Sequence, residues 1–415
     1  MENDQGNELN KNDHRVIGKE LDLFTFSDLV GPGLPLWTPK GTTVREELDK
    51  FIWELRATYD YGRVTIPHIT KRELYEKSGH WDKFSDELFR ITSREGKEYA
   101  LKPMSCPHHL QIFDRKPHSY REMPQRYAET TMVYRDEQSG ELGGLTRVLS
   151  ITQDDAHVFC RENQTKEEFL KIWDIVDRFY KTFGFTLRVR LSFRDPKDTK
   201  KYLGTKEIWD KAEKELQEIA EERGADFFEG PGEAALYGPK LDFMAKNSAG
   251  REWQVATIQL DMNMPERFDL TCVNERGERE RIIMIHAAIA GSLERGIAIL
   301  LEHYEGNLPL WLSPVQVKIL PISTEKHLNY ASEILKILKE NNIRTELDES
   351  NESLSKKIRN AKLEKIPYLV VIGDKEKESM TLTVEGRRDE KLEGITIEKF
   401  LEKLKEEIRT KKIIL

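Results

Sequence analysis

Tyr134-Arg-Asp-Glu-Gln-Ser-Gly-Glu-Leu-Gly-Gly-Leu-Thr-Arg147, continuing into Thr152-Gln-Asp-Asp-Ala-His157, gathers cations, carboxylates, glycines and a histidine in one short stretch. Arg135 and Arg147 flank a turn centred on Ser139-Gly140 and Gly143-Gly144, so a strand–loop–strand hairpin brings two guanidiniums to one pocket. Two planar, permanently charged forks suit a polyphosphate, which they can grip bidentately. Glu137, two residues after Arg135, is expected on the same side of its strand. Read alone, the stretch is more simply a surface hairpin with solvated charges.

The chain has 415 residues, more than one ordinary domain, so two or more compact units are expected, each burying its own core. Hydrophobic residues at 38% and charged residues at 34% suit a soluble globular protein. No apolar run reaches the roughly 18 to 20 residues that span a bilayer, and the polar start Met1-Glu-Asn-Asp-Gln-Gly-Asn-Glu8 lacks the pattern of a signal peptide. Cytoplasmic residence, with no membrane partner, is the default expectation. Cys106, Cys160 and Cys272 are an odd, scattered set that argues against a disulfide framework. The net charge is −8; residues from Pro314 onward carry 21 Lys+Arg against 19 Asp+Glu, leaving 45 against 55 before it. This balance gives no hint of a nucleic-acid partner, and any such contact would have to come from local patches.

Residues 1–16 are polar and aperiodic and read as a flexible lead. Thr43-x-x-Glu46 has the form of a capping box opening a helix whose apolar face is Val44, Leu48, Phe51, Ile52 and Leu55. The extended segment Gly62-Arg-Val-Thr-Ile-Pro-His-Ile69 follows. A second box, Thr165-x-x-Glu168, opens a helix whose Phe169, Ile172, Trp173, Val176, Phe179 and Tyr180 form a core stripe. Strand-like runs at 186–193, 226–229, 240–245, 252–261 and 269–273 predict a largely antiparallel sheet. After Gly291-Ser292, helical spacing returns at Leu293, Ile297, Leu300 and Leu301. Prolines bracket a linker at 307–314. Beyond it, the patterns predict strand 315–320, helix 325–340, strand 343–348, helix 353–362, strand 367–372, strand 380–384 and helix 396–410, a small α/β unit with a mixed sheet. The lysine/glutamate-rich final helix reads as a solvated face.

The order Arg-x-Glu, glycine-rich loop, second Arg and Thr-Gln-Asp-Asp-Ala-His resembles motif 2 of the class II aminoacyl-tRNA synthetases, and among them the threonyl family. The resemblance continues through Asp13-His-Arg-Val-Ile-Gly-Lys-Glu-Leu-Asp-Leu23, Tyr75-Glu-Lys-Ser-Gly-His-Trp81, Lys102-Pro-Met-Ser-Cys-Pro107, Tyr237-Gly-Pro-Lys-Leu-Asp242, Trp253-Gln254 with Gln259-Leu-Asp261, and Met284-Ile-His286 followed by Gly291-Ser-Leu-Glu-Arg295. It implies an α/β fold: a class II catalytic domain over 17–310, an antiparallel sheet with flanking helices, then a mixed α/β anticodon-binding domain over 311–415. The helix after Thr43 with segment 62–69 resembles motif 1, which implies a homodimer. The segment around Arg295 fits motif 3.

By the same resemblance, the activity is that of a threonine–tRNA ligase. Such an enzyme activates L-threonine with ATP to threonyl-adenylate and pyrophosphate, then transfers threonine to the 3′ end of threonine tRNA. One Zn2+ held by Cys106, His157 and His286, and ATP with Mg2+, are the implied cofactors. Residue spacing alone leaves two local alternatives open, His108 and His109 beside Cys106, and the pair His157-x-x-Cys160. The implied threonine pocket is Asp155 on the ammonium with Met104, Gln153, Tyr237 and Gln259 around it. Arg135 would clamp the α-phosphate and threonine carboxylate, Glu137 the adenine amino group, and Arg147 with Arg295 the distal phosphates. Gln254 would orient the reacting groups, and His80 and Lys240 would serve the transfer step.

Departures accompany this pattern. Val148-Leu-Ser-Ile151 stands where the common bacterial form reads Val-Arg-Gly-Phe, so Ile151 replaces an aromatic ring expected against adenine. Cys106-Pro-His-His109 replaces Cys-Pro-Gly-His, and His286-Ala-Ala-Ile-Ala-Gly291 replaces His-Arg-Ala-Ile-Leu-Gly. In the second domain Arg359 and Glu376 match anticodon-touching positions, but a third arginine falls at Glu385, with Arg387 and Arg388 just after; either the register slips by two or the anticodon is read differently. The chain starts too near the core for the N-terminal editing domain of family members, which implies a natural free-standing form corrected in trans by a separate editing protein, or a longer protein trimmed to its core. Two rivals remain, a seryl or prolyl enzyme and a non-catalytic or regulatory tRNA-binding paralogue; the three metal residues weigh against the first, Arg135 and Arg295 against the second.

Overall fold

In the computed structural model, which describes residues 10–246, 250–387 and 390–413, the chain divides into two compact units. One comprises 26–35 and 49–296; the other comprises the described residues up to Thr25, 36–48, and those from Ile297 on.

The first unit is built on a sheet whose strands we number in chain order: β1 Gly62–Arg63, β2 Gln125–Tyr134, β3 Ser150–Cys160, β4 Leu187–Phe193, β5 Phe227–Pro231, β6 Lys240–Lys246, β7 Glu252–Asp261 and β8 Ile283–Ala288. Their spatial order is β5-β4-β6-β7-β8-β3-β2-β1. The inner pairings are antiparallel, and only the two edge pairings, β5 on β4 and β1 on β2, are parallel. The expected hairpin is β2 with β3, in which Tyr127 faces His157 and Tyr134 faces Ser150. Because side chains alternate along a strand, Gln153, Asp155 and His157 share one face of β3, while Thr152, Asp154 and Ala156 share the other. Helix α3, defined below, backs this sheet: the Trp173 ring meets Phe243 of β6 edge-on at 5.1 Å, and Phe179 stacks on Phe51 at 5.5 Å.

Two helix starts differ from the sequence reading. Helix α1 spans Pro39–Ala57, so Thr43 lies inside it and its hydroxyl donates back to the Pro39 carbonyl at 3.0 Å. Thr38 supplies the cap, its Oγ1 accepting from Gly41 N, and proline takes a first-turn position where no N–H is needed. Helix α2 spans Cys106–Asp114 and helix α3 Thr165–Thr182, the latter with Gln164 rather than Thr165 at its cap. Glu168 makes no capping box there. It is buried and takes a bidentate pair from Arg126 at 2.6 and 2.8 Å. Buried charge pairing outweighs a cap whose amides an upstream turn already serves. The helix Lys206–Glu222 was absent from the sequence reading; its stripe Trp209, Ala212, Leu216 and Ile219 is buried.

In the second unit, strands β9 Val317–Pro321, β10 Thr345–Leu347, β11 Tyr368–Ile372, β12 Leu382–Gly386 and β13 Lys391–Ile395 lie in the order β10-β9-β11-β12-β13, with both parallel and antiparallel pairings. Helices Thr324–Glu340, Leu354–Leu363 and Ile397–Thr410 fall where periodicity places them. Val317, Ile319, Val370, Phe400 and Leu404 are part of one buried core. Strand β13 and the short helix Asp374–Ser379 escaped the sequence reading because neither has a regular apolar period: β13 alternates poorly and the helix reads Asp-Lys-Glu-Lys-Glu-Ser. Near the chain start, a helix over His14–Glu20 capped by Asp13 begins within the span read as a flexible lead; residues 1–9 of that span lie outside the described residues.

Candidate active site and metal centre

Strand register assembles the site. Lys240 faces Gln259, Gln259 faces His286, His286 faces His157 and His157 faces Tyr127, one row across β6, β7, β8, β3 and β2. Helix α2 lies over that row. One donor atom each from Cys106, His157 and His286 falls within 4.8 Å of the others, and all three residues are buried.

This donor set fits a tetrahedral soft-to-borderline cation. His157 Nε2 and His286 Nδ1 face each other at 3.1 Å, close to the roughly 3.3 Å expected between two nitrogens bound to zinc at about 2.0–2.1 Å. Their far nitrogens are backed as metal-bound imidazoles require: His286 Nε2 by Asp261 Oδ2 at 2.9 Å and His157 Nδ1 by His109 Nδ1 at 2.7 Å. Burial, with the Asp155 and Asp261 charges, pushes the Cys106 thiol well up, so a nearby cation is what would hold a thiolate there. Burial and the neighbouring His109 and His286 hold His157 well below the usual imidazole range, in the neutral form that can ligate. Of the local alternatives, Cys160 sits three residues from His157 on a strand and so points to the opposite sheet face. His108 is outside the cluster, and both its ring nitrogens are buried without a hydrogen-bond partner among the described residues.

The expected threonine-pocket residues gather beside the three ligands. The Tyr237 ring stacks on His286 at 4.4 Å, and its hydroxyl donates to Gln259 Oε1 at 2.6 Å. Gly238 makes this possible, since a side chain there would strike the Leu260 carbonyl oxygen at 1.7 Å. Asp155 Oδ2 accepts from Ser105 N at 3.2 Å, and its other oxygen stands 3.7 Å from His157 Nε2. Met104 packs with Cys106 and Tyr237 in one apolar cluster.

At the other end of the hairpin, Arg135, Glu137, Arg147, Ile151, Gln254 and Arg295 line a cavity of 230 Å³ that also reaches Gln153 and Gln259. Arg135 follows the end of β2, its Nε donating to Pro103 O at 3.3 Å and its guanidinium lying over Phe84. Glu137 is not on the strand: its N–H turns back to the Arg135 carbonyl, and its Oε2 accepts from Arg147 Nε at 2.8 Å. Arg147 also pairs with Glu141 at 3.2 Å. Arg295 donates through Nε to Thr146 O, and burial beside Arg135 and Arg147 lowers its proton affinity.

Three supports were missed by sequence reasoning. Asp242, fully buried, gathers Ser192 Oγ at 2.7 Å, Arg190 Nη2 at 3.0 Å and Gln254 Nε2 at 2.8 Å, and lies 3.2 Å from Lys240 Nζ. Arg190 also donates to Gln254 Oε1. Alternation of Arg188, Arg190 and Ser192 along a strand was the available signal. Asp154 pairs with buried Arg56 and accepts from Ile289 N and Ala290 N, and Glu294 accepts from Thr152 N at 2.8 Å; these bonds tie β3 to the segment 289–294.

His80 is fully buried, apart from the cavity lining. Ser78 Oγ donates to Tyr75 O and so accepts from His80 Nδ1 at 2.7 Å, leaving Nε2 as a bare acceptor. Burial, then the His286, Arg135 and Arg267 charges, push His80 down to about 3. In the second unit Arg359 is exposed on its helix. Glu376 has both oxygens engaged, by Gly373 N at 3.0 Å and Thr383 Oγ1 at 2.8 Å. Glu385 pairs with Lys362 at 2.5 Å. Arg387 is spent on the carbonyls of Asn307, Leu308 and Lys365, and burial lowers it to about 10. Arg388 lies outside the described residues.

Comparison with known proteins agrees with this architecture. Residues 89–304 match the model of the tRNA synthetase class II core domain (G, H, P, S and T), and 316–407 match an anticodon binding domain. The chain belongs to the class II tRNA synthetases of that group. It is 47% identical over 407 residues to a threonine–tRNA ligase of Flavobacterium johnsoniae, covering 97% of this chain and 63% of that protein. A threonine–tRNA ligase of Deinococcus radiodurans is 49% identical over 384 residues, covering 92% of this chain and 59% of that one. The chain thus spans about three-fifths of the length of these relatives. A crystal structure of the RNA binding domain of threonyl-tRNA synthetase from Cryptosporidium parvum Iowa II superposes with a TM-score of 0.91 at 36% identity, covering 95% of this chain and 98% of that one. Among the described residues, no helix is long and apolar enough to cross a membrane.

Proposed function

We propose that this chain carries the catalytic and anticodon-binding parts, 17–310 and 311–415, of a threonine–tRNA ligase. The observation that carries the reading is a buried Cys106/His157/His286 set, between one sheet face and helix α2, next to a cavity with three arginines. In the first step the threonine carboxylate attacks the α-phosphorus of ATP in line, forming the acyl–phosphate bond as the bond to pyrophosphate breaks. Arg135 neutralises charge on the carboxylate and α-phosphate, and Gln254, held by Asp242 and Arg190, orients them. Arg147 and Arg295 take the Mg2+-bound distal phosphates. For Arg147 this means leaving Glu137 and Glu141 for a stronger bidentate acceptor. Glu137 then faces the adenine amino group and Ile151 packs on the base.

Asp155 takes the threonine ammonium, and Met104, Gln153, Tyr237 and Gln259 enclose the rest. Cys106, His157 and His286 would hold zinc, which would supply a Lewis-acid partner for the threonine hydroxyl that the methyl of valine could not use, the kind of site that rejects an analogue lacking a polar group. In the transfer step a terminal hydroxyl of threonine tRNA attacks the adenylate carbonyl, forming the ester as the bond from the carbonyl carbon to the phosphate oxygen breaks, AMP leaves and the hydroxyl proton is released. His80 is buried apart from the cavity, so its bare Nε2 can accept from that hydroxyl only if the segment carrying it opens, whereas Lys240 stands beside Asp242 at 3.2 Å. Arg359, exposed on its helix, would be available to the anticodon, whereas Glu376 would have to exchange existing bonds. The resemblance also supports a homodimer through α1 and the segment 62–69, and cytoplasmic residence.

The test is ATP–pyrophosphate exchange with threonine, serine, valine and proline, before and after zinc removal. Exchange with threonine, weaker exchange with serine, none with valine or proline, and loss on demetallation are expected. Threonine exchange that survives complete metal loss overturns the zinc role; no exchange with any amino acid favours the non-catalytic paralogue.

A further inference from the structure

Behind His157 stands a second imidazole that the reaction does not use. Helix α2 presents Cys106 and His109 at i and i+3, hence on one side. His109 is fully buried, and its ring stands perpendicular to that of His157, with 4.7 Å between centroids. The contact is Nδ1 to Nδ1 at 2.7 Å. On its other side His109 Nε2 stands 3.4 Å from Glu129 Oε1, and neither atom has another hydrogen-bond partner among the described residues. Glu129 sits on β2 opposite Asp155, on the sheet face that carries His157. Lys102 Nζ, 4.0 Å from the same Glu129 oxygen and donating to Thr131 Oγ1, supplies a buried countercharge.

Two ring nitrogens at 2.7 Å can share only one proton. His157 Nε2 faces His286 and the metal position, so its lone pair must be bare, and a neutral imidazole then carries its proton on Nδ1. That proton goes to His109 Nδ1, which must be bare in turn, so the proton of His109 lies on Nε2, the nitrogen 3.4 Å from Glu129 Oε1. Every step has a single solution. His109 is thereby also excluded as a fourth ligand, because its one free lone pair is used on His157. By contrast His286 is backed directly by Asp261, whose Oδ1 is fixed by Asn263 N at 2.8 Å and Met264 N at 2.9 Å.

We infer that Glu129 and His109 are positioning residues that act in series on His157, holding it in the Nδ1–H form with Nε2 presented to the metal. This rests on the metal reading given above. One ligand is therefore oriented by a carboxylate at one remove and the other by a carboxylate in contact, so the two imidazoles differ in stiffness and basicity.

The experiment measures metal competition between the whole protein and a chelator of known affinity, together with the visible spectrum of the cobalt(II)-substituted form. His109→Leu should weaken zinc about 10- to 100-fold, the usual effect of removing a partner behind a metal ligand, and should alter the cobalt spectrum. His109→Gln, whose side-chain oxygen can accept from His157, should recover part of the loss. Glu129→Gln should weaken zinc several-fold alone and add nothing in the His109→Leu background, since it acts through His109. Zinc affinity of His109→Leu within twofold of wild type overturns the inference, as does a Glu129→Gln effect of full size in the double variant. Should His109→Leu fail to fold, His109→Gln and Glu129→Gln read the same series. A wild-type protein that binds no zinc at stoichiometric concentration fails at an earlier point, and overturns the metal reading instead.

Discussion

The two ends of the β2–β3 hairpin solve opposite problems. At the His157 end the side chains are shut away: Cys106, His157 and His286 are 2%, 1% and 5% exposed. At the Arg147 end they are charged and open, with the Arg147 side chain 44% exposed and held by Glu137 and Glu141. Buried imidazoles are rigid because close packing leaves them one rotamer and their far nitrogens one partner each. Solvated ion pairs are held weakly and can be exchanged for a phosphate at small cost. On the proposed reading, the buried end would discriminate between side chains that differ by one hydroxyl, and the open end would admit and release a highly charged nucleotide.

The largest test of this contrast is at the buried end. If Cys106 is a ligand as proposed, Cys106→Ala should lower threonine-dependent pyrophosphate exchange by more than about 100-fold, beyond what loss of a supporting residue costs. Unchanged exchange would shift attention to His108 and His109. At the open end, Arg295→Ala should lower exchange by about 100-fold, the usual consequence of removing one preorganised charge partner from a transition state, while metal content stays at the wild-type level. Loss of metal in that variant would show that the two ends are not independent.

His80 sharpens the contrast through pH. Its imidazole is pushed down to about 3, whereas the unfolded chain keeps the ordinary value near 6.5. Below pH 6.5 the unfolded state therefore takes up a proton that the folded state refuses, so stability is lost as pH falls from 6.5 toward 3. The slope is at most about 1.4 kcal/mol per pH unit for this one group. Urea midpoints measured between about pH 7 and 5 should fall less steeply for His80→Asn; an identical slope would mean the ring is not shut away. The smallest effect is expected at Ile151, where truncation to alanine removes apolar area from the adenine face and should raise the KM for ATP by a few-fold, about 1 kcal/mol, with kcat unchanged. A fall in kcat instead would place Ile151 nearer the reacting atoms than an adenine contact.

Legibility differed by the range of the interaction. The hairpin, the core stripes of α1 and α3 and the strand–helix alternation of the second unit could be read because each depends on spacing within a dozen residues. The capping boxes at Thr43 and Thr165 misled for a related reason. The local pattern was present, but the chain upstream had already turned, and Glu168 found Arg126 on a distant strand. In the second unit, a shift of the expected third arginine by two positions leads to Arg387, yet that guanidinium is committed to three carbonyls. Nothing in its sequence neighbourhood marks it as buried.

The sequence by itself determined which residue types carry the chemistry: one thiol, two separated histidines, a carboxylate-rich strand and arginines on a glycine-rich loop, in an order that resembles one family. It also determined the local elements that hold them, since periodicity is written residue by residue. Only the tertiary structure decided which atoms meet. His157 and His286 are cross-strand neighbours through register, and Cys160 is excluded by the alternation of its own strand. His109 changed from a rival ligand to the residue behind one because a helix set it, at i+3 from Cys106, against the far nitrogen of His157. Sheet register and helix placement join residues more than a hundred positions apart, and no spacing along a chain encodes that distance.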